Sequence, residues 1–164
     1  MKKFTMVLMA MLMLLPVSSF AYDATSYQYE LENVRGGTSS AGYIVVKVWS
    51  YGPRERLTKP KCMANAVHGI LFKGVDADAT GTAGPVPAMV PGGYESNPTY
   101  FDNFFMGDYL QYVQETNKGF QDVIKLKKKR EVKIGMLVKI NTGALRKRLE
   151  KDGIKAGVQG LFTR

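Results

Sequence analysis

The chain has 164 residues, a single cysteine and a formal net charge of +9. That length supports one domain with a real hydrophobic core, and one cysteine excludes a fold stapled by internal disulfides. The charge is lopsided: residues 22–117 hold seven basic and ten acidic side chains, and residues 118–164 hold fourteen basic and four acidic. Such an asymmetry bears on partners rather than on fold.

Residues 1–21 read as a signal peptide. Lys2 and Lys3 give a positive start, Met6 to Val17 an apolar run, and Ser19 and Ala21 the small residues that a signal peptidase selects. Pro16 and two serines end the run too early for a membrane span. No cysteine follows it, so a lipid anchor is not expected. The mature chain, residues 22–164, is expected to begin at Tyr22 and to be exported to a bacterial periplasm or the outer-membrane periphery.

Tyr27 to Val34 alternates apolar and polar residues and reads as a strand. Gly42 to Tyr51 is rich in β-branched and aromatic residues and reads as a second strand. The two make a hairpin, with Lys47 and Ser50 expected on the wetter face or at the edge. Thr58 and Pro60 open a helix bearing Met63, Ala64, Val67, Ile70 and Leu71 at helical spacing, which should end before Gly74. Ala64 and Ala66 would let it lie close to a sheet. Residues 75–98 turn to Gly, Pro, Ala and Thr and read as a flexible insertion. Tyr100 to Val113 is expected as a second helix with Phe101, Phe104, Phe105, Leu110 and Val113 on its buried stripe. Asp122 to Lys128 reads as a third strand.

The stretch 132–153 carries the clearest pattern. Val132, Ile134, Met136, Val138 and Ile140 alternate as one face of a fourth strand. Asn141 or Thr142 can cap the following helix, Leu145 and Leu149 give it an apolar stripe, and Gly153 supplies the stop. The expected fold is therefore a single α/β (α+β) domain: a small, mostly antiparallel sheet of about four strands, with two or three helices on one face.

Candidate chemistry is sparse. Cys62 and His68 invite a nucleophile–base dyad. Six residues of helix turn through roughly 600°, which leaves their side chains roughly 120° apart. Cys62 is thus read as a small buried residue, and His68 as a helix-terminal residue bonded to a carbonyl. Asp76, Asp78 and Thr80, with Gly81 in sixth place, copy the first half of a calcium loop. The twelfth position, where a bidentate Glu belongs, is Pro87, so a solvated loop is expected and no metal. Glu30 and Glu32 share a strand face, but nothing in the pattern builds a cleft between two carboxylates. Neither a catalytic residue nor a cofactor is expected.

The basic residues concentrate at Lys125, Lys127, Lys128, Lys129, Arg130 and Lys133, and again at Arg146 and Lys147. Aromatic residues do not interleave with them, so nucleic acid is not the expected partner. Two readings stay open: a solvated strand edge guarded by lysines, or a patch that binds an acidic partner.

The segments Lys47–Tyr51, Asn65–Gly74, Tyr100–Phe105 and Ala144–Ile154 resemble small exported proteins of Bacteroidetes whose genes accompany a CsgG-like curli secretion channel. The order of elements is also similar to the N-terminal domain of the flagellar assembly protein FlgT. Pro60 and Cys62 depart from the uninterrupted Ala/Lys helix expected at that place. The resemblance implies a non-enzymatic envelope protein that helps assemble a secretion or surface-fibre apparatus, with envelope proteins such as CsgG-like channel components as partners. The alternative is a binding module for an anionic lipid or glycan, lipopolysaccharide or an acidic polysaccharide. A cysteine hydrolase comes third.

Overall fold

The computed structural model describes residues 28–39, 42–78, 80–116, 120–126 and 131–154. The expected signal peptide and Lys127, Lys128, Lys129 and Arg130 lie outside the described residues. The sheet is built from β1 (Tyr29–Ser39), β2 (Tyr43–Pro53), β3 (Val113–Glu115), β4 (Asp122–Lys125) and β5 (Glu131–Ile140). Three helices accompany it: α1 (Lys59–Phe72), α2 (Pro98–Met106) and α3 (Thr142–Lys151). Every pairing among these strands is antiparallel.

β1 and β2 form the expected hairpin, and β5 returns along the other side of β2 in unbroken register from Ile44 opposite Ile140 to Pro53 opposite Glu131. β3 and β4 both pair with the far edge of β5, β3 near Ile140 and β4 near Val132. Six residues separate Glu115 from Asp122, whereas β5 spends two between their partners Val138 and Gly135. β3 and β4 thus share one interrupted lane, and beside the gap the Thr116 N–H donates to the Leu137 carbonyl and the Gln121 N–H to the Gly135 carbonyl. The sheet thus has four lanes, with the helices on one face, as its patterning foretold.

The alternation of β2 and β5 decides which face that is. Ile44, Val46 and Val48 on β2, and Met136, Val138 and Ile140 on β5, are buried against the helices, while Val132 and Ile134 on the same face pack with Leu57 and Phe120. Fully burying one such side chain is worth about 1.5–3 kcal/mol. α1 lies over them with Cys62, Ala64, Ala66, Val67, Ile70 and Leu71 all buried. The Thr58 hydroxyl accepts from the Lys61 N–H at its start, and Pro60 occupies the first turn. Gly74 ends it with φ +78, and a Cβ there would stand 2.4 Å from the Val86 carbonyl oxygen. In α3 the Asn141 side chain caps the Ala144 N–H, Leu145 and Leu149 are buried, and the chain turns at Gly153 with φ +75.

Three expectations change. Ser50 does not share the wet face with Lys47. It is buried on the helix side, because residues three apart on a strand point to opposite faces, and its hydroxyl accepts from the Asn65 amide at 2.9 Å. The second helix stops at Met106 rather than Val113. Gly107 interrupts it, a 3-10 turn spans Asp108–Tyr112, and the β-branched Val113 pairs with Ile140 instead. Leu110, expected on the buried stripe, is 46% exposed, whereas Phe101, Phe104, Phe105 and Val113 are buried. The described part of the 75–98 segment is fastened down. Val75 and Val86 bond to each other twice at 2.8 Å, Met89 and Val90 donate to the last turns of α1, and all four side chains join the main core.

Val138→Asp would place an unpaired carboxylate between the sheet and the helices and cost several kcal/mol. Urea denaturation of the variant should show a midpoint far below that of the wild type, and midpoints that coincide would refute this assignment of the buried face.

Candidate functional site

The face of the sheet turned away from the helices is the most elaborate surface among the described residues. Alternation puts Tyr43, Lys47, Trp49 and Tyr51 of β2 there, beside Lys133, Gly135, Leu137 and Lys139 of β5 and Glu30 and Glu32 of β1. Trp49 stands opposite Gly135, and a Cβ at Gly135 would come within 2.8 Å of the indole. The missing side chain is what lets the ring lie over β5.

The ring is held on several sides. Its Nε1 donates to Glu32 Oε2 at 2.8 Å, and the Lys47 and Lys133 ammonium groups sit 4.2 and 4.7 Å from the ring centroid. Lys47 also meets Asp122 at 2.7 Å, and Lys133 meets Glu30 at 3.1 Å with Tyr51 close by. Hydrogen bonds from Tyr51 and Lys133 hold the Glu30 carboxyl below its ordinary range, and the bond to Tyr51 is the largest of the influences that raise Lys133. Lys139 repeats the motif over Tyr43 at 4.3 Å. Exposed cation–π contacts and surface ion pairs are each worth about 1 kcal/mol or less. Together they set the side chains into a mosaic of rings, ammonium groups and carboxylates that hold one another in place.

Over β1 this face dips into a depression of about 900 Å³ that reaches Asp76, Ala77, Asp78 and Thr80. The half calcium motif has a structural use here. The Asp78 carboxylate accepts from Thr80, from Thr82 and from the Ala83 N–H at 2.7 Å. These bonds, that of Thr80 first, lower its pKa. Among the described residues no group of three or more His, Cys, Asp or Glu side chains could hold a metal.

The described basic candidates lie on three elements. Lys125 is exposed on β4, and Lys133 is engaged by Glu30 and Trp49 on the open face. Arg146 and Lys147 belong to α3, which starts beyond the other end of β5. At a rise of about 3.3 Å per residue, the seven steps from Lys133 to Ile140 cover roughly 23 Å. Lys133 therefore lies near one end of β5 and α3 starts beyond the other, while Lys127, Lys128, Lys129 and Arg130 lie outside the described residues. Beside Arg146 and Lys147, Arg148 is paired with Asp108 and Asp152.

Cys62 and His68 likewise go to different partners. Cys62 is fully buried with its thiol against the Ser50 hydroxyl, and burial pushes that thiol up, away from the reactive thiolate. His68 meets the Tyr29 hydroxyl, at 2.7 Å from Nδ1, amid Phe72, Tyr94 and Phe105. Burial first, then the charges of Lys73 and Lys61, pull its pKa down to about 4. Sequence reasoning missed Gly135 as the seat of Trp49. It also missed the buried amides Asn33 and Asn65. The one available signal was that each interrupts an apolar pattern.

With the geometry in view, the comparisons add nothing: no protein-family model, no curated protein and no solved structure matches this chain.

The low pKa of His68 sets a pH dependence. Below about 6.5 the unfolded chain takes up a proton that the folded imidazole refuses, so this stability is whole above pH 6.5 and is lost as pH falls toward 4. The ring is only part-buried, and solvent screening holds the loss to about 1–2 kcal/mol. Urea midpoints at pH 7.5 and 4.5 should fall further for wild type than for His68→Gln, and equal falls would mean that His68 titrates as in the unfolded chain.

Proposed function

We propose that this chain is a non-enzymatic interaction protein of the cell envelope that assists assembly of a secretion or surface-fibre apparatus. The observation that carries this reading is the one-sided sheet. Helices cover one face, and the other presents ordered aromatic and charged side chains around Trp49. Aromatic anchors with a polar surround are the composition of protein-docking surfaces. The separate commitments of Cys62 and His68 to Ser50 and Tyr29 speak against a hydrolase built on them. Export to the periplasm and partnership with CsgG-like channel components rest on the N-terminal segment and on the family resemblance of Lys47–Tyr51, Asn65–Gly74, Tyr100–Phe105 and Ala144–Ile154. The alternative, a module for lipopolysaccharide or an acidic glycan, draws on the fourteen basic side chains after residue 117.

The connection from β4 to β5 contains Lys127, Lys129 and Arg130. Reversing all three to Glu should cost the fold little, since surface changes usually stay within about 0.5 kcal/mol each. Detergent-extracted envelope passed over the tagged full chain should yield a protein partner whose recovery drops several-fold with the triple variant. It should drop likewise at high salt, where screening acts within about 8 Å or less. Equal recovery in all four conditions would contradict a role for the basic run. Salt-sensitive retention of lipopolysaccharide with no protein would favour the alternative.

A further inference from the structure

β1 is the terminal strand of the sheet, and its geometry fixes which backbone groups face outward. The Tyr51 N–H donates to the Gln28 carbonyl at 2.9 Å, which marks Gln28 and Tyr51 as a hydrogen-bonded pair. Such pairs alternate along an antiparallel ladder, so Glu30 opposite Trp49 and Glu32 opposite Lys47 are hydrogen-bonded as well. Leu31 and Asn33 must therefore turn their N–H and C=O groups to the outer edge. Among the described residues no other strand or loop offers backbone partners to those groups.

Beside this edge lies the depression of about 900 Å³, whose far wall is Asp76, Ala77 and Asp78. Four carboxylates line it, those of Glu30, Glu32, Asp76 and Asp78. The two lysines on its rim are occupied, Lys47 by Asp122 and Lys133 by Glu30. Asn33 lines it too. Its amide nitrogen donates to the Gly84 carbonyl at 3.0 Å, but its Oδ1 is buried without a partner among the described residues, in a residue only 6% exposed. A buried acceptor without a donor is costly, and here it stands among negative charges beside an open strand edge.

We propose that the β1 edge and this trough take up an extended basic peptide segment as an added strand, a step that rests on the interaction-protein reading. The backbone of the segment completes the outward groups of Leu31 and Asn33, in the manner of strand addition. Lysine or arginine side chains at alternate positions fall on one face of the added strand. There they meet Glu32 and Asp76 on either side, and a donor from the segment reaches Asn33 Oδ1.

Trp49 is the only tryptophan in the chain and its indole is bonded to Glu32, so its fluorescence reports on the trough. The full chain is titrated with a capped seven-residue peptide alternating valine and lysine, with the same peptide carrying glutamate for lysine, and with the lysine peptide N-methylated at alternate backbone amides. The lysine peptide should bind saturably. The glutamate and N-methylated peptides should each bind at least tenfold more weakly, and Glu32→Gln/Asp76→Asn should weaken the lysine peptide at least tenfold. Equal binding of the lysine and N-methylated peptides would overturn strand addition, leaving charge adsorption alone. Concentration-dependent self-association that the lysine peptide does not displace would overturn it in favour of a second copy at the edge. Peptide binding needs only the trough, whereas salt-sensitive envelope capture needs the basic run, so either can fail without the other.

Discussion

The rest of the molecule depends on the pairing of β2 with β5. Ten residues of one strand face ten of the other without a slip. A one-residue shift would carry one strand's apolar set, Val46 and Val48 or Met136 and Val138, to the solvent side while the other stayed on the helix side. β1 attaches to one flank of this pair, and the interrupted lane of β3 and β4 to the other. α3 begins where β5 ends, tied back by the Thr142 hydroxyl and the Gly143 N–H, which both donate to the Gly42 carbonyl at the start of β2. The two termini of the pair are thus clamped to each other by the chain that follows.

The helix layer closes only one side of that platform. α1 is buried around most of its circumference, with the sheet below it and the aromatic side chains of α2 and the following 3-10 turn above. Phe72 and Phe101 meet edge to face at 4.7 Å, and the Tyr109 hydroxyl donates to the Pro60 carbonyl at 3.1 Å. With so much apolar surface committed on this side, the other face of the sheet has no comparable cover among the described residues. Its side chains are instead matched to one another, ring to ammonium and ammonium to carboxylate. That division places the apolar packing on the helix side and the ordered charged and aromatic side chains on the open side.

Much of the fold could be read in the residues because its strongest signals are local. The strand at 132–140, the Asn141 cap and the leucine stripe of α3 each follow from spacing alone. The second helix was misjudged at its end because a 3-10 turn keeps helical composition, and because Val113 owes its place to Ile140, far along the chain. Val75, Val86, Met89 and Val90 lie in a stretch with no period, so nothing short of the packed structure places them in the core. The open face was least legible. Trp49 and Gly135 are 86 residues apart in numbering, and only the register of β2 against β5 brings them together. The basic residues read as one run because they cluster in sequence, yet the described ones are divided among β4, β5 and α3.

Native-state hydrogen exchange of the full chain tests the open β1 edge most directly. Each strand amide reports whether it is paired, and by how deep an opening it is released. The amides of Val138 and Lys139, paired on both sides of β5, should exchange only with global unfolding, while those of Leu31 and Asn33 should exchange orders of magnitude faster. Protection of Leu31 and Asn33 equal to that of β5 would contradict the account, because it would mean that the β1 edge is already covered.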